Sequence, residues 1–365
     1  MNLLPILGLM SGTSMDGIDC SILYTDGINY ERTKFNSITP YSNKSKLLLE
    51  EALLNPIKFL RNEARMKELS LTVTLDHAKA SQNLLDKFNN KIALIGFHGQ
   101  TILHEPQKKY SIQIGDGKLL SNLLKSNVVF EFRKADLDAG GQGAPLAPIY
   151  HKAIIEKLSL DLPATILNLG GISNLTYWDG HQLIGFDTGP ANNLMDHFVK
   201  QKLNLPFDLN GKISKSGEPD FSLVEEYCSS HYFKKSFPKS LDRLMLFNNK
   251  GFNKIINLNI KDAMSTLCYV TVRSIQKGYN ILPKTPKTTI ITGGGQKNKF
   301  LVSLIKKNIF GKVITAKEID LPGDFIEAEL IAFLSARNYF RMPSTFPSTT
   351  GTTNNVISGE FIKYE

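Results

Sequence analysis

The sequence predicts an α/β protein made of two related halves. Three observations carry this reading. Strand-like runs come grouped with helical runs after them, and that order occurs twice. Glycine-rich turns bearing polar residues recur at the ends of the strand-like runs. A chain of 365 residues with 42% hydrophobic content can also bury more core than one domain usually holds. The expected division is an N-terminal domain over 1–135 and a C-terminal domain over 136–340, with the segment 340–365 packing back on the first.

Taken in order, Leu3 to Leu7 and Ile18 to Tyr24 read as two strands joined by a tight turn, a β-hairpin. Tyr30 to Ile38 is the third strand. Residues 44–54 and 63–89 have helical spacing, the second with Leu69, Val73, Ala80, Leu84 and Leu85 on one side. Strands follow at Ile92 to Phe97, Tyr110 to Ile114 and Val128 to Phe132, with a helix over Lys118 to Leu124. In the second half, Thr165 to Leu169, Leu175 to Trp178 and Leu183 to Phe186 are strands, and Asn192 to Lys202 is a helix. A long helix over 260–278 precedes the strand Thr288 to Thr292 and the helix Lys299 to Asn308. The Asn/Gly/Ser/Pro-rich stretch 204–220 is expected to be a mobile flap, and Pro343 to Asn355 an extended surface segment.

Composition narrows the function. The net charge is +9, but lysine and arginine are scattered rather than striped between aromatics, which argues against a nucleic-acid partner. Three widely spaced cysteines, Cys20, Cys228 and Cys268, have no metal-like spacing and suit a reducing, cytoplasmic setting. No run approaches the length of a membrane span. There is no GxxxxGK[ST], no GxGxxG opening a helix after the first strand, no HExxH and no GxSxG.

The chemistry sits in the turns. The first is Gly8 to Asp19, whose tip offers backbone N–H groups and hydroxyls that suit a phosphate. Asp16 and Asp19 would repel a bare phosphate and make sense beside a divalent cation. Gly96-Phe97-His98-Gly99-Gln100-Thr101 follows a buried strand. Phe132-Arg133 leads to Asp136 and Gly140-Gly141-Gln142-Gly143-Ala144-Pro145. Asn168-Leu169-Gly170-Gly171-Ile172-Ser173-Asn174 comes just before Phe186-Asp187-Thr188-Gly189-Pro190-Ala191-Asn192. The last turn is Thr292-Gly293-Gly294-Gly295-Gln296-Lys297-Asn298.

A phosphate hairpin at the N-terminus, FDTGPAN as a second phosphate turn and TGGGQKN as an adenosine turn resemble the actin, hexokinase and heat-shock-chaperone superfamily. With FHGQT, FR-x-x-D-x-x-x-GGQGAPL and NLGGISN in this order, the chain resembles the anhydro-N-acetylmuramic acid kinases from Gly8 to about Arg337. The resemblance implies a two-domain actin-like ATPase (ribonuclease H-like) fold with an interdomain active-site cleft. It implies ATP and Mg²⁺ as cofactors and 1,6-anhydro-N-acetylmuramic acid as substrate. The family's reaction converts that sugar, with water, into N-acetylmuramic acid 6-phosphate during bacterial cell-wall recycling. A homodimer, with no membrane partner, is also implied.

Residue by residue, the resemblance makes Asp187 the base that activates water, opposite a departing O6 that takes the γ-phosphoryl group. Glu327 would be the second carboxylate. Gly12, Thr13, Ser14, Met15, Asp16, Gly17, Ile18 and Asp19 would bind the ATP phosphates, with Asp16 and Asp19 reaching Mg²⁺ through water. Thr188 and Gly189 would touch the phosphates from the other domain, and Gly293, Gly294, Gly295 and Asn298 would border the adenosine. His98, Gln100, Arg133 and Asp136 would face the sugar, Arg133 suiting its lactyl carboxylate. There are departures from the family. Glu131 stands for the usual Asp before Phe-Arg, and Ala191 for a frequent glycine. Leu241-Asp242-Arg243-Leu244 replaces the Thr-Gly-Arg-Glu that normally follows Pro238-Lys239-Ser240. Two alternatives remain open, a kinase of an ordinary hexose and a nucleotide-switched actin-like or chaperone-like ATPase.

Overall fold

A computed structural model describes residues 2–12, 17–241, 243–321 and 323–365. The chain forms two compact units. The first comprises Met1–Ala153, Phe325–Pro347 and Gly351–Glu365, and the second Ile154–Asp324 with Ser348–Thr350. This differs from a boundary at 135/136. Residues 136–153 and the helix Ile326–Tyr339 group with the first unit.

In the first unit, β1 (Leu4–Ser11), β2 (Ile18–Thr25) and β3 (Tyr30–Thr39) form an antiparallel meander. On the other side of β1 lie β4 (Leu94–Glu105) and then β6 (Val128–Phe130), both parallel, while β5 (Tyr110–Ile114) pairs antiparallel with β4. The C-terminal strand Glu360–Ile362 closes this edge antiparallel to β6. In the second unit, β7 (Ala164–Leu169), β8 (Ile172–Trp178) and β9 (Leu183–Pro190) form the meander. β10 (Thr288–Thr292) and β11 (Lys312–Thr315) extend it in parallel beyond β7. Both sheets follow one plan, a three-strand meander with two parallel strands added beside its first strand. The duplicated plan is the ribonuclease H-like arrangement of an actin-like ATPase fold.

Each core follows from alternation and helical spacing. In β1, Leu7 and Leu9 are fully buried with Ile18, Cys20 and Ile22 of β2, and Leu69, Val73, Ala80 and Leu84 of the helix Glu63–Leu85 join the same cluster. The second core gathers Leu167, Leu175, Phe186 and Phe198 with Met264, Leu267 and Ile275 of the helix Ile260–Tyr279. All three cysteines are free and buried.

On the first sheet, Gly8 of β1 and Gly96 of β4 are register partners. A methyl group at Gly8 would run into the carbonyl oxygen of Ala328, and one at Gly96 into the Ser335 hydroxyl and, at 2.7 Å, the Ile331 carbonyl. The two glycines make a flat bed on which the helix Ile326–Tyr339 lies. That helix is buried nearly all round, from Ala328 to Asn338.

Several expectations change. FDTGP is not a turn, because β9 continues to Pro190 with Ile172 of β8 as partner. As the outer strand of its sheet, β9 tolerates a proline. The stretch 204–220 is not a bare loop: it holds a 3-10 turn at Leu209–Gly211 and a helical turn at Lys212–Lys215. Buried Asp208 gathers the Ile213 and Ser214 N–H groups and the Ser214 hydroxyl. Residues 343–355 are not a surface tail, since Ser344, Thr345, Thr349, Thr350 and Thr352 are buried and Thr345 bridges Val356.

Four histidines of the first unit are kept neutral by burial. His77 is pushed down to about 4, and His98, His104 and His151 to about 3, with the Arg133 charge adding to the effect on His98 and His104. Unfolded histidines titrate near 6.5. Their contribution to stability is therefore complete above that value and is lost as pH falls from about 6.5 towards 3–4, where the unfolded chain binds more protons. Between pH 7 and 5.5 the first unit should lose about 1 kcal/mol per histidine. The check is a urea titration in which circular dichroism reports both units and Trp178 fluorescence reports the second. Acid should shift the former ahead of the latter. Gly8→Ala should cost about 3 kcal/mol or more of first-unit stability in the same titration, because backbone on both sides must move.

Candidate active site

The first unit brings its expected residues together at the carboxyl end of β1, in the middle of β4 and in the turn after β6; Gly96 to Thr101, expected as a turn, lies inside β4, which runs on to Glu105. Gln100 is fully buried. Its amide donates to the Gly12 carbonyl at 3.1 Å and the Thr101 carbonyl at 3.3 Å, and its Oε1 accepts from the Tyr41 hydroxyl at 3.2 Å. Ser11 Oγ donates to the Gly99 carbonyl at 3.2 Å. Gln100 thus ties the start of the Gly8 to Asp19 turn to β4, rather than presenting its amide outward to a sugar. Thr13, Ser14, Met15 and Asp16 lie outside the described residues. Gly17 packs against Ile38, and Ile18 is fully buried in the core, with no side-chain surface to offer a ligand. Asp19 is half-buried in β2 opposite Met10.

His98 has its tautomer set by its neighbours. Nδ1 lies 2.9 Å from the Gly99 carbonyl, which can only accept, so Nδ1 carries the hydrogen. Nε2 is left as the acceptor for Arg133 Nε at 3.2 Å. Burial, together with the Arg133 charge, holds this ring neutral, its pKa pushed down to about 3. His98 therefore orients Arg133, whose Nη1 also donates to the Gly143 carbonyl at 2.6 Å. Asp136 is buried and accepts the Gly143 N–H at 2.6 Å, while a Cβ at Gly141 would strike its carboxylate. Gly141 and the Gly143 N–H thus close on the Asp136 carboxylate, with no room for a side chain at 141.

Glu327 stands exposed in the first turn of the helix Ile326–Tyr339. Two residues on, buried Glu329 accepts from Arg32 Nε at 2.8 and 2.9 Å and from the Tyr150 hydroxyl at 2.8 Å. Sequence reading missed this ion pair, whose partners stand 297 residues apart.

In the second unit, Asp187 does not cap the helix that begins at Asn192; the cap position is Ala191 and has no side-chain bond. Instead Asp187 Oδ2 accepts the Leu241 N–H at 2.8 Å, its own N–H donates to the Lys239 carbonyl at 2.9 Å, and its carbonyl accepts from the Tyr232 hydroxyl at 2.6 Å. The strap Pro238–Leu241 so frames the aspartate. It reaches the altered segment at Leu241, which acts through its backbone N–H, a contact indifferent to side-chain identity. Asp242 lies outside the described residues.

Thr188 is buried with its hydroxyl donating to the Ser173 carbonyl at 3.3 Å. A Cβ at Gly189 would come 2.5 Å from that of Ser274. Asn192 Nδ2 donates to the Leu169 and Gly170 carbonyls at 3.0 and 2.8 Å, joining the turn after β7 to the end of β9. Gly293 has φ 77°, followed by a 3-10 turn over Gly294–Lys297. Asn298 caps the next helix by accepting the Leu301 N–H at 3.0 Å. Gly294 has open space where a side chain would stand, whereas Gly293 and Gly295 press on Asn168 and Leu169.

Two sheets of one plan, each with glycine turns at the carboxyl ends of its central strands, define an actin-like ATPase-fold protein. Within that class the chain belongs to the anhydro-N-acetylmuramic acid kinase family, whose model matches residues 5–364. Proteins of that name include one from Rhodopseudomonas palustris strain CGA009, 37% identical over 372 residues, with 98% of each chain covered. The one from Pelagibacter ubique is 38% identical over 373 residues with the same coverage. That from Zymomonas mobilis is 37% identical over 363 residues, covering 97% of this chain and 98% of its own. The chain is thus a kinase.

Gln100→Leu tests the tie between the turn and β4. It leaves the Gly12 carbonyl and the Tyr41 hydroxyl without their partner, so stability should fall by about 2–4 kcal/mol in urea denaturation. Weaker binding of a fluorescent ATP analogue should accompany the loss.

Proposed function

We propose that the chain catalyses ATP-dependent opening of 1,6-anhydro-N-acetylmuramic acid by water, with phosphorylation of O6. The products are N-acetylmuramic acid 6-phosphate and ADP, which places the enzyme in peptidoglycan recycling and amino-sugar metabolism. One observation carries the reading. Asp187 is an aspartate within the edge strand β9, fixed by two backbone bonds of one strap and not used as a helix cap.

The chemistry asks for a base and for charge control. Asp187 takes a proton from water as the water oxygen attacks the anomeric carbon. The bond from that carbon to O6 breaks, and O6 accepts the γ-phosphoryl group as ADP leaves. Asp187 then returns its proton to solvent. Glu327 orients the water or the sugar. Arg133, held by neutral His98, presents a guanidinium suited to the lactyl carboxylate, and buried Asp136 holds the turn that accepts Arg133. His98 is therefore a support for Arg133 more than a donor to the sugar, and Gln100 a support for the phosphate turn.

Gly12 to Asp19, Thr188 and Gly189 form the phosphate-binding set, and Gly293, Gly294, Gly295 and Asn298 the adenosine-binding set. Mg²⁺ belongs to this reading. Asp19 is a hard oxygen donor beside the turn, and a magnesium ion takes most of its ligands from phosphate and water, supplying charge neutralisation at the transferred group. A cytoplasmic homodimer completes the reading, with three free buried cysteines that suit a reducing compartment.

The test is ADP release from ATP and Mg²⁺ with the anhydro sugar beside N-acetylmuramic acid and N-acetylglucosamine. Turnover should be confined to the anhydro sugar and yield the 6-phosphate. Turnover of the open sugars alone would replace this reading with an ordinary sugar kinase. Asp187→Asn should lower kcat by about a thousandfold or more while ATP affinity stays within a few-fold.

A further inference from the structure

Beneath Asp187 lies a buried cation to which the proposed reaction gives no task. Lys239 is only 5% exposed. Its ammonium donates to the Lys235 carbonyl at 3.0 Å and the Tyr232 carbonyl at 3.5 Å, and it lies over the rings of Tyr232 at 5.0 Å and Phe186 at 5.7 Å. Among the described residues it forms no ion pair. A buried ammonium resting on carbonyls and aromatic faces is costly to keep, since desolvation penalises its charge. A methionine would fill the same volume without that cost.

Its surroundings suggest a use. Phe186, under the ammonium, is the residue before Asp187. Tyr232, which gives the ammonium both a carbonyl and a ring face, donates its hydroxyl to the Asp187 carbonyl. The Lys239 carbonyl itself accepts the Asp187 N–H, and two residues on Leu241 N–H holds the carboxylate. These three bonds of Asp187 thus run through a residue that Lys239 touches or through the strap Lys239 anchors.

We propose that Lys239 is a positioning residue for Asp187: its ammonium pins the strap Pro238–Leu241 and the Tyr232 turn, and its charge favours the ionised carboxylate. The proposal rests on the reading of Asp187 as the base. The charged and titratable groups facing Lys239 are Asp187, which stabilises its charge, and Lys235, which opposes it, with the Tyr232 ring alongside. Burial lowers the Lys239 pKa to about 8. The Tyr232 phenol is pushed well up, by burial and by Asp187, and stays neutral.

The experiment compares wild type, Lys239→Met and Lys239→Arg as full-length proteins. The Asp187 carboxyl carbon is followed by NMR across pH, assigned by its loss in Asp187→Asn, and kcat and KM are measured in parallel. Lys239→Met should raise the Asp187 midpoint by about one pH unit, as expected when a nearby opposite charge is removed. The acid limb of kcat/KM should move with it, kcat should fall at least tenfold, and KM for ATP should stay within twofold. Lys239→Arg should restore most of both. In wild type alone, the Asp187 signal should show a second inflection near pH 8 as Lys239 loses its proton, an arm that survives if the methionine variant does not fold.

An unmoved midpoint in a folded Lys239→Met, or no second inflection in wild type, would overturn the proposal. So would an arginine variant as impaired as the methionine one. Failure of wild type to turn over the anhydro sugar would instead remove the functional reading, and the NMR arms would still decide whether Lys239 governs Asp187.

Discussion

The close approach of the helix Ile326–Tyr339 to the glycine pair Gly8 and Gly96 is the constraint on which the first unit depends. Helix backbone against sheet backbone is possible only where neither strand carries a side chain on that face, and a register pair of glycines supplies this on adjacent strands. The approach buries the helix so completely that a charged residue on it must find a partner inside. Glu329 does so with Arg32 and Tyr150. The same seating fixes where the helix begins, and hence where Glu327 stands.

The candidate site itself is organised by polar groups that hold one another. Gln100 holds Gly12, His98 holds Arg133, Asp136 holds Gly143, and Asn192 holds Leu169 and Gly170. All but the His98–Arg133 pair join a side chain to a backbone group. A backbone donor or acceptor cannot change identity or rotamer, so these pairings are geometrically stiff. Such stiffness suits phosphoryl transfer, which asks the protein for position and charge more than for covalent chemistry. It also gives two of the motif glycines one reason: at Gly141 and Gly171 a side chain would stand where Asp136 or Asn193 already does.

What the sequence made legible follows from how local its signals are. The helix Glu63–Leu85 has one buried face, so its spacing of Leu69, Val73, Ala80 and Leu84 announced it. The helix Ile326–Tyr339 is buried on all sides, so it has no polar stripe and no period to detect. β9 was cut short at Phe186 because Gly189 and Pro190 read as turn residues, and only its place at the sheet edge makes them acceptable in a strand. The site motifs were visible as a set because their order along the chain is distinctive. The tasks of Gln100 and His98 were not, since a side chain that faces inward spells the same as one that faces a ligand. Lys239 was hidden most completely, because a lysine in a loop reads as solvent-facing until the fold closes over it.

The sheet order of the first unit has a consequence for how this protein is made. The second unit is almost continuous in sequence, whereas the first needs Phe325–Pro347 and the strand Glu360–Ile362, both of which follow it. During synthesis the second unit has all but Ser348–Thr350 while the first still lacks the helix that covers Gly8 and Gly96. The N-terminal sheet must therefore wait, with one apolar face uncovered, until the ribosome has delivered Phe325–Pro347. A chaperone that shields that face during the interval would raise the yield of folded protein. A circular permutant that begins at the helix Ile326–Tyr339 would shorten the wait.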